Sequence, residues 1–198
     1  MTFNKLGGRS MIYLVVGKSG VGKSTVVDEF CKRTSIHKVI PYTTRPIRDN
    51  EVGGIDYHFV SEKVFKDMAF NGNLTNVESY RVYSGDIWYY GFNLDEIKKH
   101  ENCLLVCNPK NIEGFISRLG KENIHTIEII ADLNTRIERY IDRDSMSIEK
   151  IQELVRRFIS DEKEFENLVT DDLVGNEFTL DYAINKLTRI VLGDNHGE

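Results

Sequence analysis

Along this chain, short continuous apolar runs alternate with segments whose apolar residues recur every three or four positions. Met11 to Val16 is such a run, and it predicts a strand covered on both faces. The segment after it spaces Val26, Val27, Phe30 and Cys31 along one face of a helix. His37 to Ile40 predicts a short second strand ended by Pro41. Tyr42 to Asp56 is polar and glycine-bearing, with no helical period, and Tyr57 to Val60 reads as a strand fragment. Ser61 is a candidate cap for a helix turning Val64, Phe65 and Met68 inward. Asn71-Gly72-Asn73 marks a turn. Leu74 to Tyr90 is aromatic and β-like, broken by a Ser84-Gly85-Asp86 turn.

The second half repeats the alternation. Asn93 with Glu96 predicts a capped helix ending near His100, and Cys103 to Cys107 a buried strand. Ile112, Phe115, Ile116 and Leu119 form a helical stripe stopped by Gly120. Ile124 to Ala131 is another strand, and Asp132 or Asn134 caps a helix through Ile137 and Ile141. Ser147 opens a long helix showing Ile148, Ile151, Leu154, Val155, Phe158, Ile159 and Phe165 at helical spacing. A last helix spans about Asp181 to Leu192, carrying Ile184, Leu187, Ile190 and Val191. Buried strands alternating with helices predict an α/β class with a parallel central sheet and right-handed crossovers. There is no internal repeat and no low-complexity stretch.

With 198 residues, the chain suits one domain with insertions. A net charge of −5 argues against nucleic acid or an anionic membrane as partner. No apolar run is long enough to span a bilayer, and Met1 to Ser10 reads as a polar tail, so the expected location is cytoplasmic. Three cysteines argue against a disulfide framework. Cys103, Cys107 and His100 could be imagined around a metal, but thiols in a buried strand are the simpler reading. His37, His58, His125 and His196 form no ligand spacing.

Candidate chemistry begins between the first strand and the first helix. Gly17-Lys18-Ser19-Gly20-Val21-Gly22-Lys23-Ser24 has the spacing G-x-x-x-x-G-K-S of a phosphate-binding loop. Glycines let successive N–H groups curl inward, and the helix N-terminus adds positive potential. Lys23 is then placed for the β/γ-phosphates of a nucleoside triphosphate and the Ser24 hydroxyl for Mg2+. A second candidate lies in Tyr42-Thr43-Thr44-Arg45-Pro46-Ile47-Arg48, followed by Tyr57. Two guanidinium forks and a phenol suit a phosphate monoester, although two arginines taken alone are more often a solvated surface pair.

Tyr42 to Ser61, "YTTRPIRDNEVGGIDYHFVS", taken with the loop, resembles the guanylate kinase family, whose signature runs S-T-T-R-x-P-R-x-x-E-x-x-G-x-D-Y-x-F-V. The similarity extends more thinly from Ile12 to about Val191. It implies a three-layer P-loop NTPase fold with an NMP-binding insertion and a helical lid. The implied division is a core at 11–41, 93–132 and 158–192, an NMP-binding part at 42–92 and a lid at 133–157. It further implies that Gly17, Ser19, Gly20, Val21, Gly22, Lys23, Ser24 and Thr25 hold ATP with Mg2+, and that Arg45, Arg48 and Tyr57 hold the acceptor phosphate. Tyr90, in Tyr89-Tyr90-Gly91, matches the family's Y-Y-G-T and joins them. Arg139 and Arg143, in "RYIDRD", match R-L-x-x-R-G. Arg157 matches the arginine of R-L-x-x-A-x-x-E, with Glu164 at its end. Such arginines fit a hinged segment that supplies charge where it develops, while helix-surface pairing with Glu138, Asp142 or Glu153 is the plainer alternative. Asn176 falls where an asparagine lies near the adenine.

The base pocket departs from the pattern. The serine before T-T-R falls on Pro41 or Tyr42. The glutamate of F-(L/I)-E falls on Glu78 if about two residues are inserted within Asn71 to Asn76, or on Asn76 without a gap. Glu78 is preferred, because Glu78-Ser79-Tyr80-Arg81-Val82-Tyr83 then tracks E-x-A-x-V-F. The aspartate of L-D-x-D becomes Asn108, its preceding aspartate Val106, and the threonine after Y-Y-G becomes Phe92. Carboxylates accept from guanine N1–H and N2–H₂, and a site built for such donors rejects analogues lacking them by about 10⁴-fold. The resemblance therefore implies an ATP-dependent nucleoside monophosphate kinase, with GMP or dGMP as first choice, acting as a monomer or homodimer on small nucleotides. A different or modified (d)NMP, a ribose bisphosphate or a non-catalytic interaction module remain the alternatives.

Overall fold

The computed structural model describes residues 10–48, 51–81, 85–142 and 147–193. The first half runs β1 (Met11–Val16), α1 (Lys23–Arg33), β2 (His37–Lys38), β3 (Tyr42–Thr43), β4 (His58–Phe59), α2 (Glu62–Phe70), β5 (Leu74–Arg81), β6 (Ile87–Asn93) and α3 (Leu94–Lys99). It continues through β7 (Asn102–Val106), α4 (Ile112–Leu119), β8 (Ile124–Ile130), α5 (Leu133–Asp142), α6 (Ile148–Phe165), β9 (Asp172–Gly175) and α7 (Leu180–Leu192). Five strands form a parallel sheet in the order β2-β7-β1-β8-β9, and four form a second sheet in the order β4-β3-β6-β5. The class is α/β with a parallel central sheet, as the alternation predicts.

Two compact units make up the described chain: residues 10–12, 37–105 and 113–124 in one, and 13–36, 106–112 and 125–193 in the other. In the first, β5 and β6 pair antiparallel, as do β3 and β6, while β3 and β4 are parallel. Its core holds Phe65, Phe92, Ile97 and Phe115. Gly91 lets the Phe65 ring approach, since a Cβ there would lie 3.3 Å from it. In the second, α7 packs Ile184, Leu187 and Val191 inward, beside Val26, Val27 and Phe30 of α1. The Tyr13 hydroxyl donates to the Val191 carbonyl at 3.1 Å.

The caps follow the sequence. Ser61 accepts from the Val64 amide, Asn93 from Asp95 and Glu96, Asp132 from Thr135, and Thr179 from Tyr182. Glu96 bonds His37 at 2.9 Å. Several expectations need correcting. Val64 is exposed and only Phe65 of its stripe is fully buried, because adjacent helical positions diverge by about 100°. β2 is shorter than His37 to Ile40, although the Val39 amide still bonds the Leu104 carbonyl. Tyr42 to Asp56 has no helix among its described residues, as its lack of helical period predicts, and carries β3 and the Gly53 end of a bridge to Tyr57. Ile141, Ile148, Ile151, Val155 and Ile159 are exposed. β9 lacked a strand pattern of its own; its register is set by β8, with Ile127 opposite Asp172 and Ile130 opposite Gly175. Met1 to Arg9 and Ser84 of the expected turn lie outside the described residues.

Candidate active site

The segment joining β1 to α1 presents backbone amides. Gly20 and Gly22 have φ of +83° and +86°, which L side chains rarely adopt. Space also demands glycine at Gly17, where a Cβ would sit 2.4 Å from the Ile129 carbonyl oxygen. The first bond within α1 runs from the Val26 amide to the Gly22 carbonyl at 3.0 Å, so the earlier amides project from the helix start. No acidic residue stands in that turn, and Ser24 and Thr25 are exposed on it. This is a frame that fits phosphate and a metal held by a hydroxyl. The Lys23 ammonium donates back to the carbonyls of Gly17 and Lys18. Burial lowers its pKa to about 8, while the Asp161 carboxylate acts in the opposite direction.

Side chains from α5, α6 and the end of β9 hold the loop from outside. Arg136 Nε donates to the Ser19 carbonyl at 2.8 Å. Arg139 donates to the carbonyls of Val21 at 3.1 Å and Asn176 at 2.6 Å, and the buried Asn176 amide donates to Val21 O at 2.8 Å. These bonds engage the carbonyls of Ser19 and Val21, while the Val21 amide bonds the Lys18 carbonyl at 3.4 Å. Asp161 differs, because its carboxylate accepts from the Ser19 N–H at 2.7 Å and from Arg136 Nη2 at 2.9 Å. Arg136 is 4% exposed, with its guanidinium 4.3 Å from the Phe158 ring centroid. Arg157 donates to Glu153 at 2.7 Å along its own helix. Hydrogen bonds from Arg156 and Arg157 hold the Glu153 carboxyl near a pKa of about 2, against a partial burial that opposes them. Glu164 accepts from the Ser160 hydroxyl. Arg143 lies outside the described residues.

The other unit carries the second candidate set. Arg45 follows β3 and is 4% exposed. Glu51 accepts from both its Nη atoms at 2.8 Å and from the Arg48 amide at 3.0 Å. The Arg45 hydrogen bonds keep the Glu51 carboxyl below the usual carboxylate range. The guanidinium lies 5.1 Å from the Tyr57 ring centroid, and burial raises the Tyr57 pKa. Tyr57 and Tyr90 pack edge-on at 6.0 Å, and Tyr90 and Tyr80 at 5.6 Å. A β-bulge between Thr75 and Glu78 gives β5 an extra residue, so Thr75 faces Phe92 while Glu78 faces Tyr90. Glu78 accepts from the Tyr80 hydroxyl at 2.9 Å. Arg45, Tyr57, Tyr90 and Glu78 thus share one neighbourhood. The Arg48 side chain is exposed. Asn108 is an exposed residue of the loop-bearing unit, just beyond β7.

A family model described as guanylate kinase matches residues 9–193. The chain belongs to the guanylate kinase family. With the family comes its class, an ATP-dependent nucleoside monophosphate kinase. The chain is 29% identical over 188 residues to a guanylate kinase of Listeria innocua, covering 92% of this chain and 88% of that one. It is 31% identical over 173 residues to a guanylate kinase of Sulfurimonas denitrificans, covering 81% and 80%. A crystal structure of guanylate kinase from Anaplasma phagocytophilum superposes with a TM-score of 0.62 at 20% identity, over 95% of this chain and 87% of that one, which shows the same fold. Among the described residues no helix is long and apolar enough to cross a membrane.

Three residues escaped the sequence reading. Glu51 stands at the glutamate of the family signature, so its signal was present. Asp161 falls on the alanine of R-L-x-x-A-x-x-E, a visible departure. Arg136 had no signal of its own; only its burial against Asp161 marks it.

Proposed function

We propose that this guanylate kinase family member transfers the γ-phosphate of ATP to a purine (d)NMP, with GMP or dGMP the preferred acceptor. In this reading Gly17, Ser19, Gly20, Val21, Gly22, Lys23, Ser24 and Thr25 hold the triphosphate, with Ser24 on Mg2+. The metal supplies charge neutralisation for the transferring group. Arg45, Arg48, Tyr57 and Tyr90 hold the acceptor phosphate and Glu78 its base edge. Arg139, Arg143 and Arg157 bring positive charge to the reacting phosphates, with Arg157 leaving Glu153 to do so. The observation that carries the reading is the β5–β6 register, which sets a carboxylate opposite Tyr90 and hence beside the Arg45–Tyr57 pair. A carboxylate beside a phosphate-binding arginine suits an acceptor with both a phosphate and a donor-bearing base edge.

A second reading, a kinase for another or modified (d)NMP, has one observation in its favour. The Tyr80 hydroxyl already donates to Glu78, so a base must share that carboxylate. A coupled assay across the common (d)NMPs decides between them. Highest kcat/KM on GMP or dGMP is the expected result; turnover of dTMP or dCMP above dGMP would overturn the guanine choice.

A further inference from the structure

The phosphate-binding loop already carries an anion of the protein's own. Asp161, on α6, accepts from the Ser19 N–H at 2.7 Å and lies 3.3 Å from the Ser19 hydroxyl. Arg136 fastens both partners, bonding the carboxylate at 2.9 Å and the Ser19 carbonyl at 2.8 Å. Among the charges around Lys23, that of Asp161 acts most strongly. One carboxylate therefore serves an amide of the loop and neighbours its lysine, the two kinds of donor that a phosphate would use. The pair is built in: the Arg136 and Asp161 side chains are 4% and 13% exposed. The pattern R-L-x-x-A-x-x-E, which Arg157 to Glu164 resembles, has alanine where this chain has Asp161, and alanine could offer neither charge nor acceptor.

We propose that Asp161 is an internal competitor for phosphate: its carboxylate occupies the Ser19 amide until a nucleotide's phosphate takes it over, and this sets the loop's affinity for polyphosphate. The inference rests on the reading of Gly17 to Thr25 as the ATP site. Arg136 holds the competitor in place, and once the carboxylate is displaced its guanidinium is available to the incoming anion. The opposite role, a brace without which the loop loses its shape, makes the opposite forecast. Removing a competitor tightens binding, whereas removing a brace weakens it.

The test is calorimetric titration of the full chain with Mg-ATP and, separately, with inorganic pyrophosphate. The variants are D161N, the double variant R136M/D161L and E162Q. D161N keeps an oxygen for the Ser19 amide but loses the charge, and is expected to bind both ligands about tenfold more tightly, the scale of one charge-assisted hydrogen bond. R136M/D161L removes the pair without leaving a buried unpaired arginine, so a gain there cannot come from a freed cation. It also carries the test if D161N fails to fold by circular dichroism. E162Q removes an exposed neighbouring charge that pairs with Lys18 and lies 3.7 Å from Arg136 Nη1 but, among the described residues, accepts from no loop amide, and should change affinity less than about twofold. Wild-type or weaker binding in both D161N and R136M/D161L overturns the proposal, as does an equal gain in E162Q. A wild-type chain that binds neither ligand overturns the ATP-site reading itself, and the inference with it.

Discussion

Replacing Glu51 by Gln tests the acceptor neighbourhood at its centre. The carboxylate takes three hydrogen bonds, two from the Arg45 guanidinium at 2.8 Å and one from the Arg48 amide at 3.0 Å. Glutamine keeps one acceptor oxygen and turns its NH₂ toward a donor, so at least one bond becomes a clash and Arg45 loses its counter-charge. The Arg45 and Glu51 side chains are 4% and 13% exposed, and stranding one member of such a pair costs about 3–5 kcal/mol. For a chain of 198 residues, a loss near 3 kcal/mol corresponds to a fall in Tm of roughly 6–12 °C. The pH dependence has a definite sign. Because the folded carboxyl titrates below its ordinary range, its contribution is complete above the unfolded pKa and disappears as pH falls through the folded one. Circular dichroism melts of both proteins between pH 7 and pH 3 should show a constant gap down to about pH 5, narrowing below it. A gap under about 2 °C at pH 7, or one unchanged at the acid end, would refute the claim that this pair is buried and coupled.

Other consequences can be checked alongside. Gly17→Ala places a Cβ 2.4 Å from a backbone oxygen and should cost about 1–3 kcal/mol by denaturant titration, with weaker Mg-ATP binding. Unchanged stability and affinity would count against the tight β1–loop geometry. Phe65→Ala empties a site 1% exposed beneath Gly91 and should cost about 3–5 kcal/mol, read from urea midpoints; a loss below 1 kcal/mol would contradict its burial. Raising pH above 8 should weaken Mg-ATP binding and couple it to proton uptake, because the free protein's Lys23 loses its proton from about 8 upward while a bound phosphate holds it. Calorimetry at pH 9 in two buffers of different ionisation enthalpy reads that uptake directly, and its absence would show Lys23 away from the phosphates.

What could be read from residue order is what neighbours along the chain decide. The loop is such a feature: Gly20 and Gly22 adopt positive φ, and Lys23 and Ser24 open the helix their spacing announces. Caps are another, since a serine or asparagine bonds amides two or three residues away, and Ser61 and Asn93 do so. Strands buried on both faces, such as Met11–Val16, declare themselves by unbroken apolarity.

Contacts between distant segments were not legible in this way. Arg136 looked like any helical arginine until α6 brought Asp161 against it from 25 positions away. The apolar stripe of α6 promised burial along its length, yet Ile148, Ile151, Val155 and Ile159 are exposed, while the helix engages Arg136 through Phe158 and Asp161. β9, with aspartate and glycine at its ends, is a strand because β8 offers it a ladder. Periodicity records which residues share a face, but not whether a partner covers that face. Local bonding is encoded by the residues that make it, whereas burial, ion pairing and strand register arise when segments far apart in the chain exclude water together.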